Sequence, residues 1–200
     1  MSNSQISPVI LFLYLTMIKR LLTFIFSLIF LQLNLINPNA DDNLNVGGFT
    51  FEIPENWHSE APASPMRKAQ FSVKGDGNQS FEIGFFYFGN HNAGGVNSNI
   101  LRWFYQFKEE PHKLNVSIDH KKINNINITY VLAYGTYLKG IPLRKKTPIP
   151  NCQLLGAIVE GKQGTVFIKA VGDRKLIKKN ELEFKKMIKE AINGFFETVS

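Results

Sequence analysis

The sequence contains a single cysteine, Cys152, among its 200 residues. An intramolecular disulfide is therefore impossible, and a chain of this length can bury a sufficient apolar core without one. A lone thiol with no base near it in the sequence is weak evidence for a nucleophile. We therefore expect Cys152 to be a structural residue.

The usual catalytic and metal-binding patterns are also absent. No Gly-x-Ser-x-Gly segment occurs, which argues against a serine-hydrolase elbow. The four histidines, His58, His91, His112 and His120, are spread along the chain without partners at metal-ligand spacing. Gly94-Gly95 could present backbone N–H groups to an anion, but no nucleotide-binding loop follows it. The sequence therefore favours a non-catalytic protein without a metal or cofactor.

Basic residues exceed acidic ones, but they form no concentrated patch. The formal net charge is +7, and residues 1–40 hold Lys19 and Arg20 and no acidic residue. The remaining chain has 21 basic and 16 acidic residues, a net charge of about +5, with its lysines interspersed among glutamates. This excess favours an anionic partner but lacks the focused footprint of a nucleic-acid-binding protein. We expect a monomer that binds a small anionic ligand or another protein, and no nucleic acid.

The N-terminal region has the three-part layout of a secretory signal. A basic start, Met17-Ile18-Lys19-Arg20, precedes an apolar run from Leu21 to Ile36, and Asn37-Pro38-Asn39-Ala40 supplies a cleavage site. This layout predicts a signal peptide over 17–40 and a single mature domain over 41–200. The protein would then be exported, to the periplasm or outside the cell.

One alternative to a cleaved signal is a retained membrane anchor. The run from Leu21 to Ile36 has only 16 residues, short of the roughly 20 that a spanning helix needs. No cysteine follows the run, which argues against a lipid anchor. The residues before Met17 do not fit the signal layout, so we expect translation to start at Met17 and residues 1–16 to be a mis-annotated upstream extension.

Alternating apolar residues downstream predict a series of strands. Phe49, Phe51 and Ile53 alternate with polar residues, the period of a half-buried strand. Phe85 to Phe88 is apolar on both faces and predicts a strand in the middle of a sheet with layers above and below it. We predict a polar tail over 41–48, strands over 49–53, 68–74 and 80–88, a hairpin of 116–123 with 126–138 turning at Asn124-Asn125, a loop over 139–152, and a hairpin of 154–160 with 165–171.

Two segments have the apolar spacing of helices. The first, capped by Asn97, presents one face made of Val96, Ile100, Trp103, Phe104 and Phe107. The second runs from Arg174 to Thr198 behind a cap at Asp173, with a buried stripe of Ile177, Phe184, Ile188, Ala191 and Phe195. Together the elements predict an α+β domain in which an antiparallel sheet of about seven strands is sandwiched between helices.

Candidate ligand contacts are polar side chains beside these apolar faces. Asn99, Arg102 and Gln106 share one side of the first helix, where a guanidinium and two amides could bind a carboxylate or phosphate. Arg67 follows a proline-containing loop and could bind a ligand or pair with a buried acid. Arg144-Lys145-Lys146 could bind anionic lipid or polysaccharide, an interaction that salt would weaken. A structural or solvated role is the alternative for each of them.

A set of short motifs extends over nearly all of the expected mature chain. It comprises Trp57, Pro62, Ser64, Met66-Arg67, Ala69, Phe71, Phe85-Phe86-Tyr87-Phe88-Gly89, Gly94-Gly95-Val96, Asn99, Arg102-Trp103, Gln106-Phe107, Gly135-Thr136-Tyr137, Ala157-Ile158-Val159-Glu160, Phe167, Lys169 and Gly172. With these motifs the chain resembles a family of uncharacterised exported bacterial proteins, frequent in planctomycete-like lineages, which looks like the PsbP/Mog1-like α/β/α sandwich. The resemblance implies that fold and a role without catalysis, since proteins of the fold are mostly accessory or binding proteins. The segment 139–152 departs from the Gly/Pro-rich loop expected there.

These observations leave functions of different classes open. The leading hypothesis is an exported, non-catalytic binding or accessory protein of unknown ligand. One alternative is a cell-envelope hydrolase, which would need Arg67 in a pocket with a carboxylate or histidine. Another is a membrane-tethered protein that retains Leu21 to Ile36.

Overall fold

A computed structural model describes residues 17–20, 43–89, 93–140 and 145–197 of the protein. The chain divides into two units, 1–41 and 42–200, and in the first only residues 17–20, which are helical, are described. The apolar run of the expected signal, its cleavage site at Ala40 and the extension 1–16 lie outside the described residues and stay predictions. No helix within the described ranges is both long and apolar enough to cross a membrane.

The second unit is built around one antiparallel sheet. Its elements are β1 (Asn43–Val46), β2 (Phe49–Glu52), β3 (His58–Glu60), β4 (Arg67–Lys74), β5 (Ser80–Tyr87), α1 (Val96–Phe104), a 3₁₀ turn (Pro111–Lys113), β6 (Asn115–Ile123), β7 (Ile126–Lys139), β8 (Thr147–Gly161), β9 (Gly164–Asp173) and α2 (Arg174–Glu197). Seven strands form the sheet in the order β3-β4-β5-β9-β8-β7-β6, while β1 and β2 form a separate hairpin. The predicted antiparallel sheet of seven strands is confirmed, but its membership differs: the predicted strand 49–53 forms β2 of the separate hairpin, and β3, which was not predicted, completes the seven.

Both faces of the sheet are covered, as a sandwich requires. On one face, Phe85 and Ile168 belong to a core that includes Ile177 and Phe184 of α2 together with side chains of the β1–β2 hairpin. On the other face, Leu154 and Phe167 pack with Ile100, Trp103 and Phe104 of α1. The doubly apolar strand β5 lies between β4 and β9, so its predicted interior position is confirmed.

The turn between β6 and β7 follows from its two asparagines. Asn124 and Asn125 have φ of 46° and 64°, in the left-handed region that asparagine tolerates better than most residues. The strands pair without interruption from Ile123 opposite Ile126 to Asn115 opposite Tyr134. This hairpin therefore forms as predicted, and it leaves β6 at one edge of the sheet.

Two segments predicted as irregular are strands. Residues 43–46, expected in a polar tail, form β1 because Gly47 and Gly48 adopt φ of 61° and 84° and fold the chain back onto β2. Residues 147–152, expected in a loop, form the first part of β8. Most of this part pairs with β7 alone, since β9 begins to pair only at Cys152, so the missing N–H groups of its two prolines can face away from the sheet.

Helix α1 also differs from its prediction. It ends at Phe104, its N-cap residue is Gly95, and Asn97 does not cap it. Phe107 is nevertheless buried, since the chain after α1 forms an isolated bridge between Phe107 and Tyr137. The predicted apolar face is thus correct, while the predicted helix length is wrong.

Helix α2 begins as predicted. Asp173 accepts a hydrogen bond at its Oδ1 from the backbone N–H of Leu176, at 2.9 Å. Replacing this cap with alanine should lower the free energy of unfolding by about 1 kcal/mol, measured by urea denaturation. Asp76→Ala, in the exposed turn after β4, is the matched control and should change it by less than about 0.5 kcal/mol. Equal effects of the two variants would contradict the capping role.

Candidate functional site

A polar row crosses the α1 face of the sheet. Gln70, Gly84, Lys169 and Gly156 lie opposite one another on β4, β5, β9 and β8. The two glycines beside Lys169 make room for aromatic rings, since the ring of Phe86 lies against Gly84 and the ring of Trp103 of α1 lies directly over Gly156. Lys169 therefore lies on the face of the sheet that α1 covers, among residues that are mostly apolar.

The side chain of Lys169 is held by the loop after α1 and by β7. Its Nζ donates a hydrogen bond to Gln106 Oε1 at 2.7 Å, and the Tyr137 hydroxyl donates to the same oxygen at 2.9 Å. The ammonium also lies 6.0 Å from the centroid of the Tyr137 ring. An ammonium has three donors, so this arrangement fixes its position while leaving donors for a further acceptor.

An ion pair lies next to this lysine. Arg67 Nη1 is 2.5 Å from Glu82 Oε1 and also donates to Gln70 Oε1 at 2.6 Å. The guanidinium lies 5.6 Å from the centroid of the Phe86 ring, and the Arg67 side chain is only 17% exposed, against 41% for that of Glu82. We call Arg67, Glu82, Gln106, Tyr137 and Lys169 the Lys169 cluster. It holds two cations and one carboxylate.

Burial changes the acid–base behaviour of the cluster. The pKa of Lys169 is lowered to about 8, mainly by burial and also by the nearby positive charge of Arg67, while Glu82 opposes the change. Burial and the negative charge of Glu82 raise the pKa of Tyr137 to about 12. Near pH 7 the cluster therefore offers a charged ammonium, a guanidinium and a neutral phenol, all of them hydrogen-bond donors.

The structure separates the four candidates on and around α1. Arg67 and Gln106 both belong to the Lys169 cluster. Asn99 is buried, and its Nδ2 donates to the carbonyl oxygens of Ala93 and Gly95, so it fastens the loop before α1. Arg102 is exposed and donates to Asn99 Oδ1 at 3.0 Å. Asn99 and Arg102 thus stabilise α1, and only Gln106 reaches the cluster.

The third group of candidates is only partly described. Arg144 lies outside the described residues, while Lys145 and Lys146 are exposed in the connection before β8. Among the hydrogen bonds and ion pairs of the described residues, neither lysine contacts the Lys169 cluster. Their role in binding anionic lipid or polysaccharide stays a prediction.

In the sequence, Lys169 and Tyr137 are motif residues that were not predicted to belong to a site, and Glu82 was not identified at all. The sequence did contain a signal for Lys169. This residue lies between Phe167 and Val171 at a spacing of two, on a face of the strand where both of these neighbours are apolar. A lysine at an inward position of a central strand is uncommon. Its partners come from other strands, and their pairing could not be read from the sequence.

The groove on the α1 face of the sheet and the buried charges of the Lys169 cluster lie in different places. A groove of about 450 Å³ lies at the other end of α1, lined by Asn97, His120, Lys122, Thr129 and Glu160 among others. Buried charge marks the Lys169 cluster, which contributes no residue to this groove, and we regard charge as the better guide to a small polar ligand. Within the described part of the chain, no three His, Cys, Asp or Glu side chains are placed to hold a metal ion.

Comparisons with known proteins add a likeness in structure. No family model and no curated protein sequence matches the chain. Its structure is similar to that of cyanobacterial PsbP (CyanoP) from Synechocystis sp. PCC 6803, with a TM-score of 0.45 and 10% sequence identity over 71% of this chain and 84% of that chain. A likeness of this size concerns the fold at most, and no argument about function rests on it. The resemblance to the planctomycete-like exported family stays a prediction.

Proposed function

We propose that this protein is an exported, non-catalytic binding module that takes a small anionic ligand at the Lys169 cluster. The observation that carries the proposal is the excess positive charge of the cluster, in which Arg67 already occupies the carboxylate of Glu82. Lys169 has only neutral partners among its hydrogen bonds in the described chain, Gln106 directly and Tyr137 through it. An anion would supply the missing negative charge.

The chemistry of the donors supports a carboxylate or phosphate ligand. A guanidinium presents several N–H groups in one plane, which suits the paired oxygens of these anions, and an ammonium adds a compact point charge. Gln106 holds the Lys169 ammonium and Tyr137 flanks it, so part of the ordering is complete before binding. Such preorganisation increases affinity because less side-chain freedom is lost on association.

The same groups give little support to catalysis. A phenol whose pKa is raised to about 12 is a poor base near neutral pH. Cys152, the only thiol, is buried, and burial raises its pKa, which disfavours the reactive thiolate. The cell-envelope hydrolase therefore stays the weaker of the two hypotheses for this site.

Anion titrations test the binding proposal. Inorganic phosphate and acetate, added at constant ionic strength, should raise the melting temperature of the wild-type protein and shift the backbone amide resonances of β9. Lys169→Met should weaken the apparent affinity roughly tenfold or more. Lys179→Met removes an exposed lysine of α2 and should bind like wild type. Equal responses of wild type and Lys169→Met would rule out this site.

Export is tested separately. N-terminal sequencing of the protein purified from its native host should find a mature chain that begins near Asp41. A protein that retains Met1 would contradict both the signal peptide and the upstream extension. Cell fractionation distinguishes a cleaved product from one tethered by Leu21 to Ile36.

A further inference from the structure

The outer face of α2 carries a line of lysines. Residues of an α-helix follow one another at about 100° around the axis. Exposed residues that fall within about 40° of one line along α2 are Lys175, Lys179, Leu182, Lys186 and Lys189. From the first to the last of them the helix extends by about 21 Å. We call these residues the lysine ridge.

The ridge lies on the side of α2 that faces away from the sheet. The helix packs onto the sheet through the opposite side, where Ile177, Phe184 and Ile188 are buried in the core that α2 shares with the β1–β2 hairpin. The side chains of the ridge therefore take no part in this core. Packing of the domain does not require lysines at these positions.

Acidic side chains compensate little of the charge on the ridge. Lys186 is 3.7 Å from Glu190, and both side chains are well exposed, so the pair contributes little. The other three lysines of the ridge form no ion pair with any described residue. Glu183 lies about 80° around the helix from the ridge, and Glu181 is paired with Lys185. The ridge is therefore a strip of positive charge.

An apolar side chain interrupts the lysines near the middle of the ridge. Leu182 is 81% exposed, the largest exposed fraction among the large apolar side chains of the described chain. It lies about one helical turn from Lys179 and from Lys186. Lysines have apolar stems that can lie along a greasy surface while the ammonium groups stay in water. The ridge thus combines apolar contact area with positive charge.

We propose that the lysine ridge binds the surface of a bilayer that contains anionic lipids. The ammonium groups lie at the level of the lipid phosphates, and Leu182 enters the interface between them. Anionic lipids create a negative surface potential that attracts clustered basic residues. The apolar side of α2 stays in the core of the domain, so the helix lies on the bilayer and does not insert into it.

Shape and residue type favour a bilayer over a single bound anion. The ridge lies on the convex side of a helix, and the groove of about 450 Å³ contains no residue of α2. Arginine suits paired contacts with one carboxylate or phosphate, whereas lysine is a compact point charge, and every basic residue of the ridge is lysine. Charges spread along a line suit the many phosphates of a flat surface.

The bilayer proposal is independent of the proposed anion site. Helix α2 and the Lys169 cluster lie on opposite faces of the sheet. A bilayer in contact with the ridge therefore leaves the cluster open to a small ligand. Either proposal can fail without the other.

Cosedimentation with vesicles tests the inference. The full chain should bind vesicles of phosphatidylcholine mixed with phosphatidylglycerol, bind vesicles of phosphatidylcholine alone much more weakly, and be released from the first kind by high salt. A retained apolar N-terminus would bind both kinds of vesicle, so the difference between them reports the electrostatic contribution. Equal binding to both kinds would overturn the inference.

Two double variants of equal net charge locate the contact. Lys179→Gln with Lys189→Gln should weaken binding to the anionic vesicles roughly twenty-fivefold, since each lysine near such a surface contributes about fivefold. Lys122→Gln with Lys162→Gln removes two exposed lysines outside α2 and should bind like wild type. Equal losses in the two variants would mean that net charge alone attracts the protein, which contradicts a contact at the ridge.

A fluorescent probe at the centre of the ridge tests the orientation. The emission of Leu182→Trp should shift to shorter wavelength when anionic vesicles are added, while that of Leu101→Trp, an exposed residue of α1, should not. No shift at position 182 would contradict the proposed contact. Binding of polyglutamate or an acidic polysaccharide through the ridge, without binding of anionic vesicles, would assign the ridge to another class of partner and overturn the inference. Circular dichroism confirms that each variant is folded.

Discussion

Replacing Lys169 with methionine should stabilise the folded protein at pH 7 by up to about 3 kcal/mol. The pKa of this lysine falls from its ordinary 10.5 to about 8 on folding, and each unit of pKa corresponds to about 1.4 kcal/mol. Methionine has a similar shape and no charge, so it removes the desolvation of an ammonium. Gln106 Oε1 keeps the Tyr137 hydroxyl as a donor. Urea denaturation measures the difference.

The stabilisation should depend on pH in one direction. Below about pH 8 the lysine is protonated in both states, and the folded protein carries the full penalty of a buried charge. Between about pH 8 and pH 10.5 the unfolded chain keeps the proton that the folded protein has lost, so the wild type gains stability relative to the variant as pH rises. Near pH 10.5 and above, the difference should largely disappear.

Three measurements make this result decisive. Unfolding free energies of wild type and Lys169→Met are compared at pH 7, 9 and 10.5, and the difference between the two proteins cancels the titration of groups they share. Lys179→Met, at an exposed position, should show no such trend. A Lys169→Met variant that is less stable than wild type at pH 7 would mean that the ammonium is well solvated. If Lys169→Met is more stable than wild type and no longer responds to anions, Lys169 lowers the stability of the protein and serves in anion binding.

Much of the fold was predictable because its pattern is local. The apolar run of Phe85 to Phe88 placed β5 inside the sheet, and Asn124-Asn125 identified a tight turn. β1 was missed because its partner strand and its two turn glycines must be considered together. The start of β8 was missed because Pro148 and Pro150 indicate irregular structure unless one edge of the strand is known to be open.

The candidate site was less predictable, because its members come from four strands and the loop after α1. Arg67 and Gln106 stood out as polar side chains beside apolar residues, and both belong to the cluster. Asn99 shows the same pattern but bonds the backbone of the loop before its own helix. Sequence spacing cannot distinguish an amide that contacts the cluster from one that bonds a nearby loop. The difference depends on how β4, β5 and β9 pair, and this pairing joins residues that are distant in sequence.

Gly156→Ala should destabilise the protein by about 1–3 kcal/mol, although alanine suits a strand better than glycine does. A Cβ at this position would overlap the ring of Trp103 and come within 2.9 Å of its Cε3 and Cη2. Trp103 is buried and is one of the main contacts between α1 and the sheet. The ring must therefore move, and α1 with it. Gly194→Ala, with open space around its Cβ, is the control and should be neutral or stabilising.

A double-mutant cycle distinguishes this steric cause from a general intolerance of the strand. Trp103→Ala alone should lower the free energy of unfolding by about 3–5 kcal/mol, because a buried ring is lost. Adding Gly156→Ala to Trp103→Ala should then cost almost nothing, since the new methyl group enters the space that the ring has left. Additive effects would contradict the contact. If the cycle behaves as expected, Gly156→Ala alone should also weaken anion binding, because the displaced helix moves Gln106 away from Lys169.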